Sequence, residues 1–141
     1  MKLYHAITRD LLIPVVWKAF PKVEVLLRAD HNLPGNEHYH YIIAIPYNEE
    51  DGLQPRLDSL IRSYRRKYCS RCSRCFTAQR QCPGCGHFCK FKPIKSEEHL
   101  DTVIRYILRR CSDIGKDSKT ETGKFIAEQI DRILPEVRDT P

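Results

Sequence analysis

Hydrophobic and polar residues alternate along some segments of the chain and recur every three or four residues along others. Alternation places successive side chains on opposite faces of a β-strand, whereas the longer period lines apolar side chains along one side of an α-helix. A proline after such a segment marks its end. In chain order, these signals predict a strand over 2–9, a helix over 14–20, strands over 22–30 and 38–45, a helix over 55–68, a strand over 88–94, and helices over 97–110 and 124–134, the last ending at Pro135.

This order of elements predicts an α+β fold in which helices pack against an antiparallel sheet. Residues 33–36 (Leu-Pro-Gly-Asn) form a turn sequence, so the segments 22–30 and 38–45 are expected to pair as a β-hairpin. With 141 residues, the chain is long enough for one domain with one hydrophobic core. We therefore expect residues 1–141 to form a single domain, with residues 69–89 as an insertion within it.

Two histidines share one face of the predicted strand 38–45. His38 and His40 are two residues apart, so their side chains point to the same side, as do those of Ile42 and Ala44. The opposite face consists of tyrosines and isoleucines. Two neutral imidazoles at this spacing can bind one metal ion, although a pair of surface histidines on a half-exposed strand would give the same pattern.

A third metal ligand is expected close to this pair, and the candidates are Asp30, His31 and Glu37. If the apolar faces of the two hairpin strands join one core, Asp30 falls on the histidine side and His31 on the core side, unless a β-bulge shifts the phase. Glu37 points away from His38. Asp30 is therefore the preferred ligand and His31 the alternative, and two imidazoles with a carboxylate suit Mn²⁺ or Mg²⁺ bound to a phosphate.

The predicted helix 97–110 carries a tyrosine outside its apolar stripe. At about 100° per residue, Tyr106 lies roughly 130° from the centre of the stripe, on the polar side of the helix. Arg109 and Arg110 follow at three and four residues, within reach of the same surface. Tyr106 is thus a candidate nucleophile with basic neighbours, although an exposed tyrosine on an amphipathic helix would also fit the pattern.

Six of the seven cysteines fall within residues 69–89. Two Cys-x-x-Cys pairs in so short a segment are typical of a tetrahedral structural zinc site. We therefore predict a small zinc ribbon in this insertion. The predicted ligands are Cys72, Cys75, Cys82 and Cys85, and the alternatives are Cys69, His87 and Cys89.

The net charge of +6 is concentrated in one part of the chain. Residues 56–95 carry eleven lysines and arginines and a single acidic residue, Asp58, so this segment is +10 and the remainder is −4. Aromatic residues lie among the basic ones. Such a segment favours single-stranded nucleic acid as a partner, through phosphate contacts and base stacking, over a face that is merely solvated.

No apolar run approaches the roughly 20 residues that a membrane-spanning helix needs, and the first residues do not have the pattern of a signal peptide. We therefore expect an intracellular protein, in the cytoplasm of a prokaryote or in the nucleus if it is eukaryotic or viral. In a reducing compartment, clustered cysteines serve as metal ligands more often than as disulfides.

The order and spacing of these motifs resemble the HUH endonucleases, the family of rolling-circle replication initiators, relaxases and single-tyrosine transposases. The strand around Thr8 resembles the first family motif. The family usually has a lysine three or four residues after its tyrosine. This chain has Arg109 and Arg110 at those positions, and the alternatives for the role of that lysine are Lys116 and Lys119 further along. The two other motifs are His38-Tyr39-His40 with Asp30 upstream, and Tyr106 within the segment 103–110.

The resemblance implies a sheet with an RRM-like core and a metal-dependent, site-specific endonuclease and strand-transferase acting on single-stranded DNA in replication or transposition. It implies that Tyr106 attacks the scissile phosphate and forms a 5′-phosphotyrosine link. Larger members of the family are often fused to a helicase, so a fused or associated helicase is an expected partner. The competing hypothesis is a zinc-ribbon protein that binds nucleic acid without catalysis.

Overall fold

In a computed structural model of the chain, the described residues are 2–8, 13–31, 38–46, 52–68 and 89–138. Within these residues, five strands form one antiparallel sheet in the order β4-β1-β3-β2-β5. The predicted α+β class, an antiparallel sheet with flanking helices, is confirmed. The elements are β1 (Lys2–Thr8), α1 (Ile13–Ala19), β2 (Glu24–His31), β3 (His38–Ile45), α2 (Leu53–Tyr68), β4 (Cys89–Pro93), α3 (Glu97–Arg110), β5 (Ser112–Lys116) and α4 (Glu121–Arg138).

Helices cover the sheet on both faces, so the protein has two apolar clusters rather than the single core that the sequence suggested. Alternate residues of β3 enter different clusters: Ile42 packs with α3 and α4, whereas Ile43 packs with α1 and α2. Both residues are completely buried. Burial on both faces explains why β3 has an unbroken hydrophobic run from Tyr41 to Ile45.

Strands β2 and β3 pair in antiparallel fashion as predicted, with the turn sequence 33–36 outside the described residues. Their register shifts between Val25 and Leu27. Leu26 and Leu27, which are consecutive, are both buried in the cluster beneath α3 and α4. This β-bulge reverses the phase of the strand, because every later residue of β2 points to the face opposite from the one that strict alternation would give.

Helix α3 lies against the sheet through the apolar stripe that its sequence predicted. The Ser96 side chain accepts a hydrogen bond from the backbone N–H of His99 at 3.0 Å, which caps the helix. Glu97 and Glu98 occupy the first turn, where negative charge is favourable. The residues of the stripe are all buried: Leu100, Val103, Ile104, Ile107 and Leu108.

Two elements differ from the sequence prediction. Strand β5, which pairs with β2 at the edge of the sheet, was not predicted, because its sequence contains Gly115 and only Ile114 is even half-buried. Helix α4 continues past Pro135 to Arg138 instead of ending there. Val137 is 7% exposed and packs into the cluster beneath α3 and α4, and this burial offsets the hydrogen bond that proline cannot donate.

Candidate functional site

The His-x-His pair lies on the sheet face covered by α3 and α4. Because side chains alternate along β3, His38 and His40 project to the same side, and their Nε2 atoms are 3.1 Å apart. His40 is 1% exposed, whereas His38 is half-buried. The pair therefore extends from the protein interior to a partly exposed part of the surface.

His31 is the third member of the group. It is paired with His38 across the hairpin, and its ring centroid lies 4.7 Å from that of His38 and 5.6 Å from that of His40. Each of the three side chains offers one ring nitrogen, and these nitrogens all lie within 4.8 Å of one another. Three close histidines of this kind could hold a metal ion.

The preference for Asp30 as the third ligand is corrected by this geometry. Asp30 is paired with Tyr39 on the other face of the sheet, and its carboxylate lies 3.9 Å from the guanidinium of Arg28. The preference assumed a single core and a strand without a bulge. The sheet instead has an apolar cluster on each face, and the bulge at Leu26 reverses the phase of β2. His31, the stated alternative, takes the position beside the histidine pair. Glu37 lies outside the described residues.

The arrangement fits a metal ion in its spacing and in its unused polar atoms. Metal–imidazole bonds of about 2.0–2.1 Å hold two neighbouring ligand nitrogens roughly 3 Å apart, close to the 3.1 Å between His38 and His40. The Nδ1 atom of His31 is buried and has no hydrogen-bond partner among the described residues. A buried nitrogen without a partner is costly, and a ligand in the site is one way to satisfy the polar atoms there.

A fourth histidine, which the sequence analysis did not single out, extends the group. His5 lies in the middle of β1, stacks on His40 with ring centroids 5.1 Å apart, and places its Nε2 2.8 Å from Nδ1 of His40. It is 8% exposed. The available signal was its position in a predicted strand, but a single histidine there is more often a core residue than part of a site, so the pattern alone gave no reason to select it.

The buried imidazoles of this group are neutral at neutral pH. Burial, together with the charges of Lys92 and His99, lowers the pKa of His5 to about 4. Burial is also the main cause that lowers the pKa of His40 to about 3, and the neighbouring histidines add to it. The pKa of His31 is lowered as well, first by burial and then by His38 and Arg110. Neutral imidazoles have a free lone pair, as metal binding requires.

Tyr106 lies at the edge of the histidine group. Its ring makes edge-on contacts with those of His40 and His5, at centroid distances of 5.6 and 6.4 Å. The side chain is 39% exposed, so a substrate can reach it from solvent. The candidate nucleophile and the His-x-His pair, which were identified separately in the sequence, are therefore neighbours in the fold.

Of the two arginines that follow, Arg110 contacts the site. Its guanidinium carbon lies 4.9 Å from the centroid of the Tyr106 ring, in a cation–π arrangement. Arg109 is exposed on the same turn of α3. The two arginines thus have different environments, although the sequence did not distinguish them.

The predicted zinc ligands Cys72, Cys75, Cys82 and Cys85 lie outside the described residues, as do the alternatives Cys69 and His87. The remaining alternative, Cys89, is the first residue of β4 and is fully buried. Its thiol lies 3.2 Å from the hydroxyl of Thr8, and burial raises its pKa to about 12. A protonated thiol in this environment is part of the core.

Two lysines of the edge strand β4 add positive charge to the histidine face of the sheet. Lys90 and Lys92 of β4 are exposed, and because they pair with Ile7 and His5 they lie on the histidine face of the sheet.

Among the described residues, none of the helices combines the length and hydrophobicity that crossing a lipid bilayer requires.

Comparison of the chain with protein-family models, with curated proteins and with solved structures gave no match.

Proposed function

We propose that the protein is a metal-dependent endonuclease and strand-transferase that acts on single-stranded DNA with Tyr106 as its nucleophile, in the manner of the HUH endonucleases. The single observation that carries this proposal is the contact between the exposed ring of Tyr106 and the buried ring of His40. It places an accessible phenol beside neutral imidazoles that could hold a metal ion, so a nucleophile and a Lewis acid would lie at one site.

The histidines supply the binding site for the cation. His31, His38 and His40 would hold a divalent metal ion, and such an ion polarises a phosphate oxygen and stabilises charge in the transition state. Three imidazole ligands favour a first-row transition metal such as Mn²⁺, Co²⁺ or Zn²⁺ over Mg²⁺, which prefers oxygen ligands. Of the two metals suggested by the sequence, Mn²⁺ is therefore the better candidate.

Tyr106 provides the covalent chemistry. In the proposed reaction, its phenolic oxygen forms a bond to phosphorus while the bond from phosphorus to the 3′-oxygen breaks. The phenol loses its proton and the 3′-oxygen takes one up, which leaves a free 3′-hydroxyl and a 5′-phosphotyrosine. Attack by a 3′-hydroxyl reverses the step and joins strands, so the energy of the phosphodiester is retained.

Positive charge near Tyr106 supports binding of the substrate phosphate. Arg110 lies over the tyrosine ring, where it can also contact a phosphate oxygen and stabilise the negative charge that develops there. Lys90 and Lys92 are exposed on the same face of the sheet, farther along towards its β4 edge. A DNA strand entering this face from the β4 edge would meet the two lysines first and then Tyr106 and Arg110 together.

The cysteine-rich segment is proposed to form a zinc ribbon, on the sequence pattern alone. The segment between α2 and β4 is residues 69–88, so the ribbon would emerge at the β4 edge of the sheet. Thiolate ligands would give it a fold that depends on zinc. Its basic residues would extend the surface that binds the phosphate backbone.

The proposal is tested by trapping the covalent intermediate. The wild-type protein is incubated with Mn²⁺ and a pool of 3′-labelled single strands of random sequence, and transfer of label to protein is followed on denaturing gels. We expect a labelled adduct with the wild type and none with Tyr106→Phe, because phenylalanine has no hydroxyl. Tyr39→Phe, a matched change on the opposite face of the sheet, should retain the adduct.

The alternative outcomes are distinct. An adduct that persists in Tyr106→Phe would place the nucleophile elsewhere. DNA binding that weakens steeply with salt, without any adduct from the wild type, would indicate the non-catalytic nucleic-acid-binding protein instead.

A further inference from the structure

His5 makes a contact that the proposed chemistry does not use. Its Nε2 lies 2.8 Å from Nδ1 of His40, and the two rings are stacked with an angle of 24° between their planes. His5 is held in a central strand, between Ile42 of β3 and Lys92 of β4, and only 8% of it is exposed. The position of the ring is therefore fixed by the sheet rather than by a loop.

His40 is the middle member of a chain of three imidazoles. Its Nδ1 faces His5 and its Nε2 faces His38, the second pair of nitrogens being 3.1 Å apart. A neutral imidazole carries one N–H, so without a metal the hydrogen bonds can run in either direction. In one direction His40 donates to His5 through Nδ1–H, and in the other it donates to His38 through Nε2–H.

A metal ion in the site would be compatible with only one of these directions. A ligand nitrogen must have its lone pair free, and the Nε2 atoms that approach each other are those of His38 and His40. The proton of His40 must then be on Nδ1, where the nearest acceptor is Nε2 of His5. Free histidine in water more often carries its proton on Nε2, so this tautomer needs a partner to favour it.

We infer that His5 is a positioning residue for the metal site: it accepts a hydrogen bond from Nδ1–H of His40 and so keeps the Nε2 lone pair of His40 available to the metal. The inference rests on the proposed metal site. Histidines that bind metals generally donate their other N–H to a carboxylate, a carbonyl or water, and here a second imidazole takes that place. His5 does not touch the substrate in this scheme, and its effect is transmitted through His40.

The first test measures metal affinity. Binding of Mn²⁺ to the metal-free site is followed by electron paramagnetic resonance in the wild type, His5→Leu and His5→Gln, without DNA. We expect His5→Leu to bind Mn²⁺ about 10–100-fold more weakly, the usual cost of losing such a partner. His5→Gln should stay within a few-fold of the wild type, because its amide oxygen can accept the same hydrogen bond. Thermal unfolding checks that both variants are folded.

A matched control separates this effect from the loss of any nearby histidine. His99 lies on α3, where its Nδ1 accepts a hydrogen bond from the backbone N–H of Lys95 at 3.1 Å. His99→Gln should leave the affinity for Mn²⁺ unchanged. A comparable loss in His99→Gln and His5→Leu would overturn the inference, because the effect would then be one of general electrostatics.

The second test reads the tautomer directly. Long-range ¹H–¹⁵N spectra of the metal-free protein at neutral pH should show His40 with its proton on Nδ1 in the wild type and in His5→Gln. A wild-type His40 with its proton on Nε2 would overturn the inference even if His5→Leu does not fold. Tight binding of Mn²⁺ by His5→Leu would overturn it while leaving the proposed nuclease intact. A wild type that binds no Mn²⁺ would instead refute the metal site on which both proposals depend.

Discussion

The ring of Tyr106 meets the ring of His40 edge-on, with 5.6 Å between their centroids. The contact follows from how α3 lies on the sheet. The buried side of the helix includes Ile104 and Ile107, which pack against the same cluster as Ile42 of β3. Tyr106 is not on that side of the helix, so its ring lies beside the histidines at the edge of the buried surface rather than among the aliphatic side chains. Its position off the apolar stripe therefore places it in contact with the buried histidines.

The two arginines after Tyr106 should contribute unequally to catalysis. Arg110 lies over the ring of Tyr106, whereas Arg109 is exposed on the same turn. We expect Arg110→Ala to slow formation of the DNA adduct by about 100-fold, since removal of one group that stabilises transition-state charge typically costs that much. Arg109→Ala removes the same charge one residue away and should slow the reaction only a few-fold.

Single-turnover kinetics at saturating DNA separate this effect from weaker binding. Equal losses in the two variants would show that the arginines act only through the general positive charge of the surface.

The cysteine-rich segment should carry one tightly bound zinc ion per chain. The prediction rests on the two Cys-x-x-Cys pairs within residues 69–89. Metal analysis of the purified protein, after removal of loosely held ions, should give close to one equivalent of zinc, and Cys72→Ser or Cys82→Ser should lower it. Cys111→Ser is the matched control, because Cys111 lies outside the segment, at the end of α3. Zinc-free protein with all its thiols freely titratable would refute the prediction.

Stability of the metal-free protein should fall as the pH is lowered. His5 and His40 have pKa values of about 4 and 3 in the fold, against 6.5 for an ordinary histidine. Between the folded and the unfolded pKa, the unfolded chain binds more protons than the folded one. The contribution of these histidines to the free energy of unfolding is therefore complete above about pH 6.5 and is lost as the pH falls towards 4 and below. The slope per histidine is at most about 1.4 kcal/mol per pH unit.

Denaturant unfolding at pH 7, 6 and 5 measures this dependence. His5→Gln removes one of the titrating imidazoles and should show a flatter decline than the wild type. A midpoint that does not change from pH 7 to pH 5 would mean that the two histidines are not buried in the neutral form.

Local sequence signals predicted most of the fold because they act within one element. The serine cap and the apolar stripe predicted α3, and the turn sequence Leu-Pro-Gly-Asn predicted that β2 and β3 pair. Strand β5 was not predicted because its pairing with β2 does not depend on an apolar face, which is the signal that a strand sequence normally provides. The end of α4 was misplaced because the burial of Val137 is a tertiary contact.

The candidate site was predicted in part, for the same reason. His38 and His40 share a face through the two-residue period of a strand, and Tyr106 was recognised from its helical phase. The choice between Asp30 and His31 depended on a bulge at Leu26 and on the number of apolar clusters, neither of which is encoded by alternation. His5 comes to His40 only through the pairing of β1 with β3, which is a non-local contact.

The choice between His31 and Asp30 can be decided by replacing each residue with asparagine. His31 lies within the group of ring nitrogens, whereas Asp30 faces Arg28 on the other side of the sheet. His31→Asn should weaken binding of Mn²⁺ by at least about 100-fold, because losing even an outer partner of a metal ligand costs about 10–100-fold. Asp30→Asn replaces the neighbouring carboxylate with an amide of the same size. It should leave the affinity for Mn²⁺ within a few-fold of the wild type.

The metal itself gives a second comparison in the same experiment. A site with three imidazoles should bind Co²⁺ more tightly than Mn²⁺ and bind Mg²⁺ only weakly, whereas a carboxylate ligand would raise the relative affinity for Mg²⁺. Competition titrations with the three ions in the wild type and both variants measure this order. Loss of Mn²⁺ binding in Asp30→Asn with normal binding in His31→Asn would show that the carboxylate reaches the metal, and that β2 has the phase that strict alternation gives.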